Sequence, residues 1–339
     1  MTSRPPHGPS TPPPDTDGTA AGPADEPAAP TCVMSFNAAD ATGAGGTAGD
    51  VATLAAMGAH GLPVTCSLLV RDTAEVFDQH PIDADTVTEQ ARTVLEDITV
   101  GGFKVGFLGS AENVSAVAEV LSDYPDAPLV SHLPNLGWLD DDQAQAYHEA
   151  FRDLILPATE VLVGSHKTLT DFLLPDWDSE RPPSARELAV AAGERGTRYV
   201  LITGILLPVK GGKGQGEQYI DNVLASPQGA LAGEKFEMFD TSFVGAGDTL
   251  SAALAALLAA GSELQAAVGE ALAFMDQALD AGFRPGMGSV LPDRFFWALP
   301  PGEEGEPGAE DGQADGGTPA DEPPSTKDGK PKPPPRRVH

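Results

Sequence analysis

The sequence predicts an α/β protein built on a largely parallel sheet, and three observations lead there. Short apolar runs of strand length alternate with segments whose apolar residues recur at helical spacing. Glycine-rich turns follow the first run and precede an Ala-rich helix near the end. The prolines confine the fold to one stretch, because of 32 in the chain 9 lie in residues 1–30 and 10 in residues 300–339. Both ends are rich in Pro, Ala, Gly and acids and poor in β-branched and aromatic residues. Such segments bury too little apolar surface to offset the entropy of ordering them. Residues 1–30 and 300–339 therefore read as disordered tails around one domain, residues 31–299, which is long enough for a large sheet around a single core.

In chain order, Thr31–Asn37 is a short apolar strand that runs into Gly43-Ala44-Gly45-Gly46, and Ala48–Met57 follows as a helix. Pro63–Val70 is the next strand. Asp85–Leu95 carries Val87, Ala91, Val94 and Leu95 on one helical face. Phe103–Leu108 reads as strand, Glu112–Leu121 as helix, Leu129–Leu133 and Val161–Gly164 as buried strands, and Asp140–Ile155 between them as an amphipathic helix. Ser184–Arg195 is helical with Gly196 as its stop, and Tyr199–Leu206 is a strand. Gln218–Ala225 and Ala230–Met238 flank Pro227-Gln228-Gly229 as a hairpin. Asp248–Ala260 and Leu264–Ala281 close the domain as helices.

Charge excludes several function classes. The formal net charge is −30; the two ends carry −3 and −4, which leaves −23 on the predicted domain. That field repels a phosphate backbone and an anionic membrane, so no nucleic-acid or membrane partner is expected. Cys32 and Cys66 make neither a disulfide framework nor a zinc quartet. The longest apolar run, Leu250–Ala260, is about half a membrane span. Pro5–Pro14 stand where a signal peptide would carry its apolar region. A cytoplasmic protein is expected.

The strongest chemical signal is Gly245-Ala246-Gly247-Asp248, followed at once by an Ala/Leu-rich helix. Two glycines two apart let backbone N–H groups converge, and a helix N-terminus exposes unpaired donors with about half a positive charge. Together they suit a phosphoryl group in transfer. Asp248, in the first turn, is placed to accept a substrate hydroxyl proton. An ordinary N-terminal acid behind a glycine turn is the plainer alternative.

At this motif the chain resembles the ribokinase superfamily, and within it the hydroxymethylpyrimidine/phosphomethylpyrimidine kinases of thiamine biosynthesis. The likeness runs from about Val33 to Ala281. It rests on Asp40 with the Gly43–Gly46 loop and Asp50, on Leu54-Ala55-Ala56-Met57-Gly58-Ala59-His60-Gly61, and on Asp72-Thr73. Lys104-Val105-Gly106-Phe107-Leu108-Gly109 and Asp248-Thr249-Leu250-Ser251-Ala252-Ala253-Leu254 complete it. The resemblance implies a ribokinase-like three-layer α/β/α sandwich that uses ATP and Mg2+ to phosphorylate a hydroxymethylpyrimidine or its monophosphate. It implies Asp248 as base and Gly245, Ala246 and Gly247 as anion hole. Asp40, Gly45, Arg71, Phe107 and Leu133 would surround the pyrimidine, and Thr203 and Gly204 would lie by the nucleotide. A small-molecule alcohol is the expected partner, with a homodimer left open. Pyridoxal or pyridoxine kinase, and a pseudokinase that binds pyrimidine or nucleotide without turnover, stay open as alternatives.

Several positions differ from the family. Arg71 stands where the family has glutamine; it can only donate and would suit an anionic ligand unless Asp40 or Asp72 pairs with it. Ser131 replaces an aspartate, His166-Lys167-Thr168-Leu169 replaces the Asn-x-x-Glu that organises magnesium, and Thr203-Gly204-Ile205 replaces Lys-Gly-Gly. No metal ligand can be assigned, with Asp171 a nearby acid to consider. Lys210–Gly216 lacks a phosphate loop's ending and reads as a hairpin connection. His132 and His166 read as satisfied histidines at strand ends. Trp138, Trp177 and Trp297 are too scattered for a stacking platform, and Phe295-Phe296-Trp297 reads as packing on the core or an oligomer contact.

Overall fold

The computed structural model of the chain describes residues 29–208 and 218–298. The tails up to residue 28 and from residue 299, and the Lys210–Gly216 connection, lie outside the described residues. Within them the first strand, β1 (Cys32–Asp40), leads through the glycine loop to α1 (Gly46–Ala56) and to β2 (His60–Arg71), which pairs parallel to β1. β3 (Val76–Pro81) turns back antiparallel on β2. Then come α2 (Ala84–Leu95), β4 (Gly102–Val105), α3 (Ala111–Ser122), β5 (Leu129–His132), α4 (Asp141–Ala150) and β6 (Val161–Ser165). Next are α5 (His166–Leu173), α6 (Ala185–Gly193), β7 (Tyr199–Leu206) and the antiparallel pair β8 (Tyr219–Ser226) and β9 (Gly229–Glu237). α7 (Ala246–Ala259) and α8 (Leu264–Asp280) finish the fold.

All nine strands form one sheet in the order β3-β2-β1-β4-β5-β6-β7-β8-β9. The six strands from β2 to β7 in this order are parallel; only β3 and β8 run the other way, and β9, antiparallel to β8, runs with the six again. The expected largely parallel sheet is found. Strand order reverses beside β1, because the chain goes first to β2 on one side and later to β4 on the other. At such a switch the loops leave in opposite directions and open a crevice at the strands' C-terminal ends. That is where the site lies.

Alternation along the strands divides the core into two layers. Met34, Phe36 and Ala38 of β1 face α2 to α6, joining Val87, Val114, Val117, Tyr147, Phe151 and Leu188. Val33, Val130, Val161 and Val163 face the other way, onto Leu54 of α1 and the small apolar faces of α7 and α8. The three-layer α/β/α sandwich follows directly. Helix starts are specified by side chains: Asp83, Ser110, Asp140 and Ser184 each accept a backbone N–H from their helix's first turn, and Ser184 forms a capping box with Glu187.

Three local features depart from the sequence reading. β3 was not expected, since an edge strand with Phe77 60% exposed presents no buried alternation. α5 was not expected either; eight residues with only Leu169 and Phe172 buried are too few to show a period. The helix expected over Asp140–Ile155 ends as α4 at Ala150 and continues as a wider turn, Phe151–Ile155, and a tight one, Leu156–Ala158. Phe296 packs against Phe274 of α8, whereas Phe295 and Trp297 are largely exposed. No described helix is long and apolar enough to cross a membrane.

Candidate active site

The C-terminal ends of the parallel strands and the first turn of α7 enclose a cavity of about 550 Å3. Every residue proposed from the sequence lines it: Asp40, Gly45, Arg71, Phe107 and Leu133 toward one end, Thr203 and Gly204 toward the other, and Gly245, Ala246, Gly247 and Asp248 with them. Chain segments some 200 residues apart are brought together by the crossover at β1.

The loop before α7 is held in a conformation that needs glycine. Gly245 has φ +87°, and a Cβ there would collide with the carbonyl oxygen of Ala44. Gly46, at φ +61°, would likewise strike the carbonyl of Ala38. So the two glycine loops touch backbone to backbone. Arg294 fastens them: its buried guanidinium donates to the carbonyls of Gly43 and Ala44 and to Thr249 Oγ1 on α7.

Asp248 is fixed from several sides. Its Oδ1 accepts from Lys104 Nζ at 2.7 Å and from Asn37 Nδ2 at 3.0 Å, and its Oδ2 accepts the Gly46 N–H at 2.9 Å. Lys104 is fully buried on β4 and donates also to both carboxylate oxygens of Asp50 at 2.9 Å. Asp50, fully buried on α1, further accepts from Ser35 and Asn37. His132 at the end of β5 places Nδ1 3.4 Å from Asp248 Oδ1.

These contacts set the charges. Burial pushes the Asp248 carboxyl up, but the Lys104 ammonium and His132 outweigh it and hold it well below the usual carboxylate range. Burial also opposes the Lys104 ammonium, and the two carboxylates around it more than restore it. For Asp50 burial prevails over the charge of Lys104, and the nearby Asp248 charge adds to it, so its carboxyl is raised. Asp248 is thus an anchored anion at neutral pH.

At the other end, Asp40 Oδ1 accepts from Thr42 N–H and Oγ1, its Oδ2 from the Gly45 N–H, and Arg71 Nη1 lies 3.6 Å away. Arg71 therefore has a counter-charge inside the protein. Phe107 packs against Trp138 with ring centroids 5.3 Å apart, edge to face, and both line the cavity. The three tryptophans do not meet, yet Trp138 supplies an aromatic wall that the sequence reading did not assign.

Of the positions that differ from the family, Arg71, Thr203 and Gly204 line the cavity, whereas Ser131, His166 and Leu169 do not. Ser131 is buried and shares a hydrogen bond with Thr159, Leu169 is in the core, and His166 bonds the Pro183 carbonyl. Asp171 is exposed, paired with Lys167 at 2.6 Å, and does not line this cavity. Among the described residues no three His, Cys, Asp or Glu side chains gather as a metal cage, and the carboxylates that line the cavity are Asp40 and Asp248. Toward a nucleotide the N-terminus of α7 opens on the cavity, while the Gly204 N–H is already taken by Asn222 Oδ1.

Lys104, Asn37, His132 and Arg294 were not assigned roles from the sequence. For Lys104 a signal existed: a lysine between Phe103 and Val105 in a buried strand must have a buried partner. Nothing local marks the other three, since each acts on groups brought near only by the fold.

Residues 40–293 match the family described as phosphomethylpyrimidine kinase. A hydroxymethylpyrimidine/phosphomethylpyrimidine kinase of Streptomyces coelicolor is 30% identical over 274 residues, covering 80% of this chain and 97% of that protein. A thiamine biosynthesis multifunctional protein of Corynebacterium efficiens is 29% identical over 272 residues, 78% of this chain but 35% of that protein, so this chain spans about a third of its length. Among solved structures, an ADP complex of Bacillus subtilis pyridoxal kinase superposes with a TM-score of 0.69 at 23% identity, covering 80% of this chain and 99% of that one. That likeness establishes the fold.

Because Lys104 separates two buried carboxylates, Lys104→Met is expected to cost about 3–5 kcal/mol in stability. Adding Asp50→Asn should recover part of it. Urea unfolding of the two variants checks this; a loss below about 1 kcal/mol for Lys104→Met would contradict the ion-pair reading.

Proposed function

The chain belongs to the phosphomethylpyrimidine kinase family, and from that membership and the cavity's geometry we propose that it phosphorylates a hydroxymethylpyrimidine or its monophosphate with ATP. The observation that carries this is Asp248 at the mouth of the Gly245–Gly247 turn, between an aromatic-walled half of the cavity and a half lined by Thr203 and Gly204.

In this reading the pyrimidine lies against Phe107, Leu133 and Trp138, with Asp40 and the Gly45 backbone at its polar edge. Its CH2–OH points to Asp248, which takes or directs the hydroxyl proton. The N–H groups of Gly245, Ala246 and Gly247 hold the oxygens of the γ-phosphoryl as it moves in line from ADP to the alcohol. Positioning and charge stabilisation supply most of the acceleration, since phosphoryl transfer leaves little covalent work to the protein. A divalent cation would arrive on the nucleotide's own phosphates with water ligands, which is how magnesium is commonly held. Residues 31–299 would carry the activity, in the cytoplasm.

Asp248→Asn keeps shape and removes the negative charge, so turnover should fall by at least 10²-fold while the ligand still raises the melting temperature. A magnesium-dependent assay over hydroxymethylpyrimidine, its monophosphate and pyridoxal measures it. Turnover by the wild type that Asp248→Asn leaves unchanged would remove Asp248 from the reaction. Binding without any turnover would select a non-enzymatic role, and turnover of pyridoxal alone would move the substrate to that class.

Arg71 faces Asp40, so it has no unmet charge to offer a ligand phosphate. Arg71→Gln is therefore expected to leave the ratio of affinities for the alcohol and its monophosphate within about threefold, a change of under about 0.7 kcal/mol. Calorimetric titration of both ligands checks it. A tenfold loss confined to the monophosphate would make Arg71 an anion-binding residue.

A further inference from the structure

His132 is the last residue of β5 and lines the cavity beside Asp248. Its side chain is 16% exposed, with Nδ1 3.4 Å from Asp248 Oδ1. The other ring nitrogen, Nε2, lies against Gly247, so close that a Cβ on that residue would collide with it. The imidazole therefore spans the distance from the carboxylate to the phosphoryl cradle. Among the described residues Nε2 has no hydrogen-bond partner. Asp248, by contrast, already accepts from Lys104, Asn37 and the Gly46 N–H.

We propose that His132 is a catalytic residue that works with Asp248 as a dyad: Nδ1–H is directed at the carboxylate, and Nε2 takes the proton of the substrate alcohol. The inference rests on the kinase reading above and assigns the proton within it. A carboxylate that is buried beside an ammonium and held by three donors is a weak proton acceptor. A neutral imidazole is matched to the task near neutral pH. Asp248 then orients the ring and compensates the imidazolium that forms.

The step balances. The alcohol oxygen forms its bond to the γ-phosphorus as the bond from that phosphorus to the β–γ bridging oxygen breaks, and that electron pair leaves with ADP. The alcohol proton goes to His132 Nε2 and then to water through the open cavity. Nothing is oxidised or reduced. The charged groups around the dyad are Lys104 from β4, Asp50 from α1 and Arg294 from the segment after α8, with Asp40 and Arg71 across the cavity.

The test is kcat/KM against pH for the wild type and His132→Asn, with imidazole rescue of His132→Ala. The wild type should lose activity with unit slope on the acid side of its optimum, as a base that must be unprotonated requires. His132→Asn should keep its melting temperature and its KM, lose about 10²–10⁴-fold in kcat, and lose the acid limb. Added imidazole should restore His132→Ala in proportion to its free-base form, an effect that a merely structural histidine would not produce. A wild-type rate flat down to pH 5 overturns the proposal even if the variants fail to fold. So does a folded His132→Asn enzyme with kcat intact, while the kinase reading stands. A wild type with no ATP-dependent turnover overturns both.

Discussion

A lysine with no exposed surface is tolerated only where its charge is matched, and Lys104 is matched twice, by Asp50 and by Asp248. The rest of the site depends on this ion cluster. β4 contributes the cation, α1 one anion and α7 the other, so three elements meet through three charges. Asn37 and Ser35 of β1 satisfy the remaining oxygens. An unpaired member would cost several kcal/mol, a large part of the margin by which a domain is stable. The position of Asp248 at the glycine turn is thus enforced by the folding energy of the core.

The close approach of the two glycine loops follows from the same arrangement. With Asp248 drawn toward Lys104 and toward the Gly46 N–H, the Gly245 turn must touch the Ala44 carbonyl, where no side chain fits. Arg294 then spans both loops from the far end of the domain. One backbone cradle is held by contacts from β1, α1, α7 and the segment after α8, which suits a group that must keep its donors aimed while charge moves.

Much of this was legible in the chain itself. Apolar runs of strand length marked the parallel strands, and apolar residues at helical spacing marked helices such as that over Asp85–Leu95. The glycine pair before an Ala-rich helix marked the cradle, and the family resemblance gathered Asp40, Phe107 and Thr203 into one cavity. What escaped did so for physical reasons. β3 is an edge strand facing solvent, and α5 is shorter than the period needed to recognise it. His132 looked like any histidine at a strand end, because its meaning comes from Asp248, distant in sequence. For Arg71 the sequence left a ligand anion, Asp40 or Asp72 open as partner, and only the fold shows Asp40 beside it. Such pairings belong to the crossover connections of the sheet, which local patterns do not encode.

The central claim is that one cavity holds both ligands with the transferred phosphoryl at the Gly245–Gly247 turn. A crystal structure with a non-hydrolysable ATP analogue and hydroxymethylpyrimidine tests it most directly. The expected result is γ-phosphate oxygens within hydrogen-bond distance of the Gly245, Ala246 and Gly247 N–H groups, and the alcohol oxygen between that phosphorus and the Asp248–His132 pair. A γ-phosphate bound away from this turn, or a pyrimidine outside the Phe107–Trp138 wall, would contradict it.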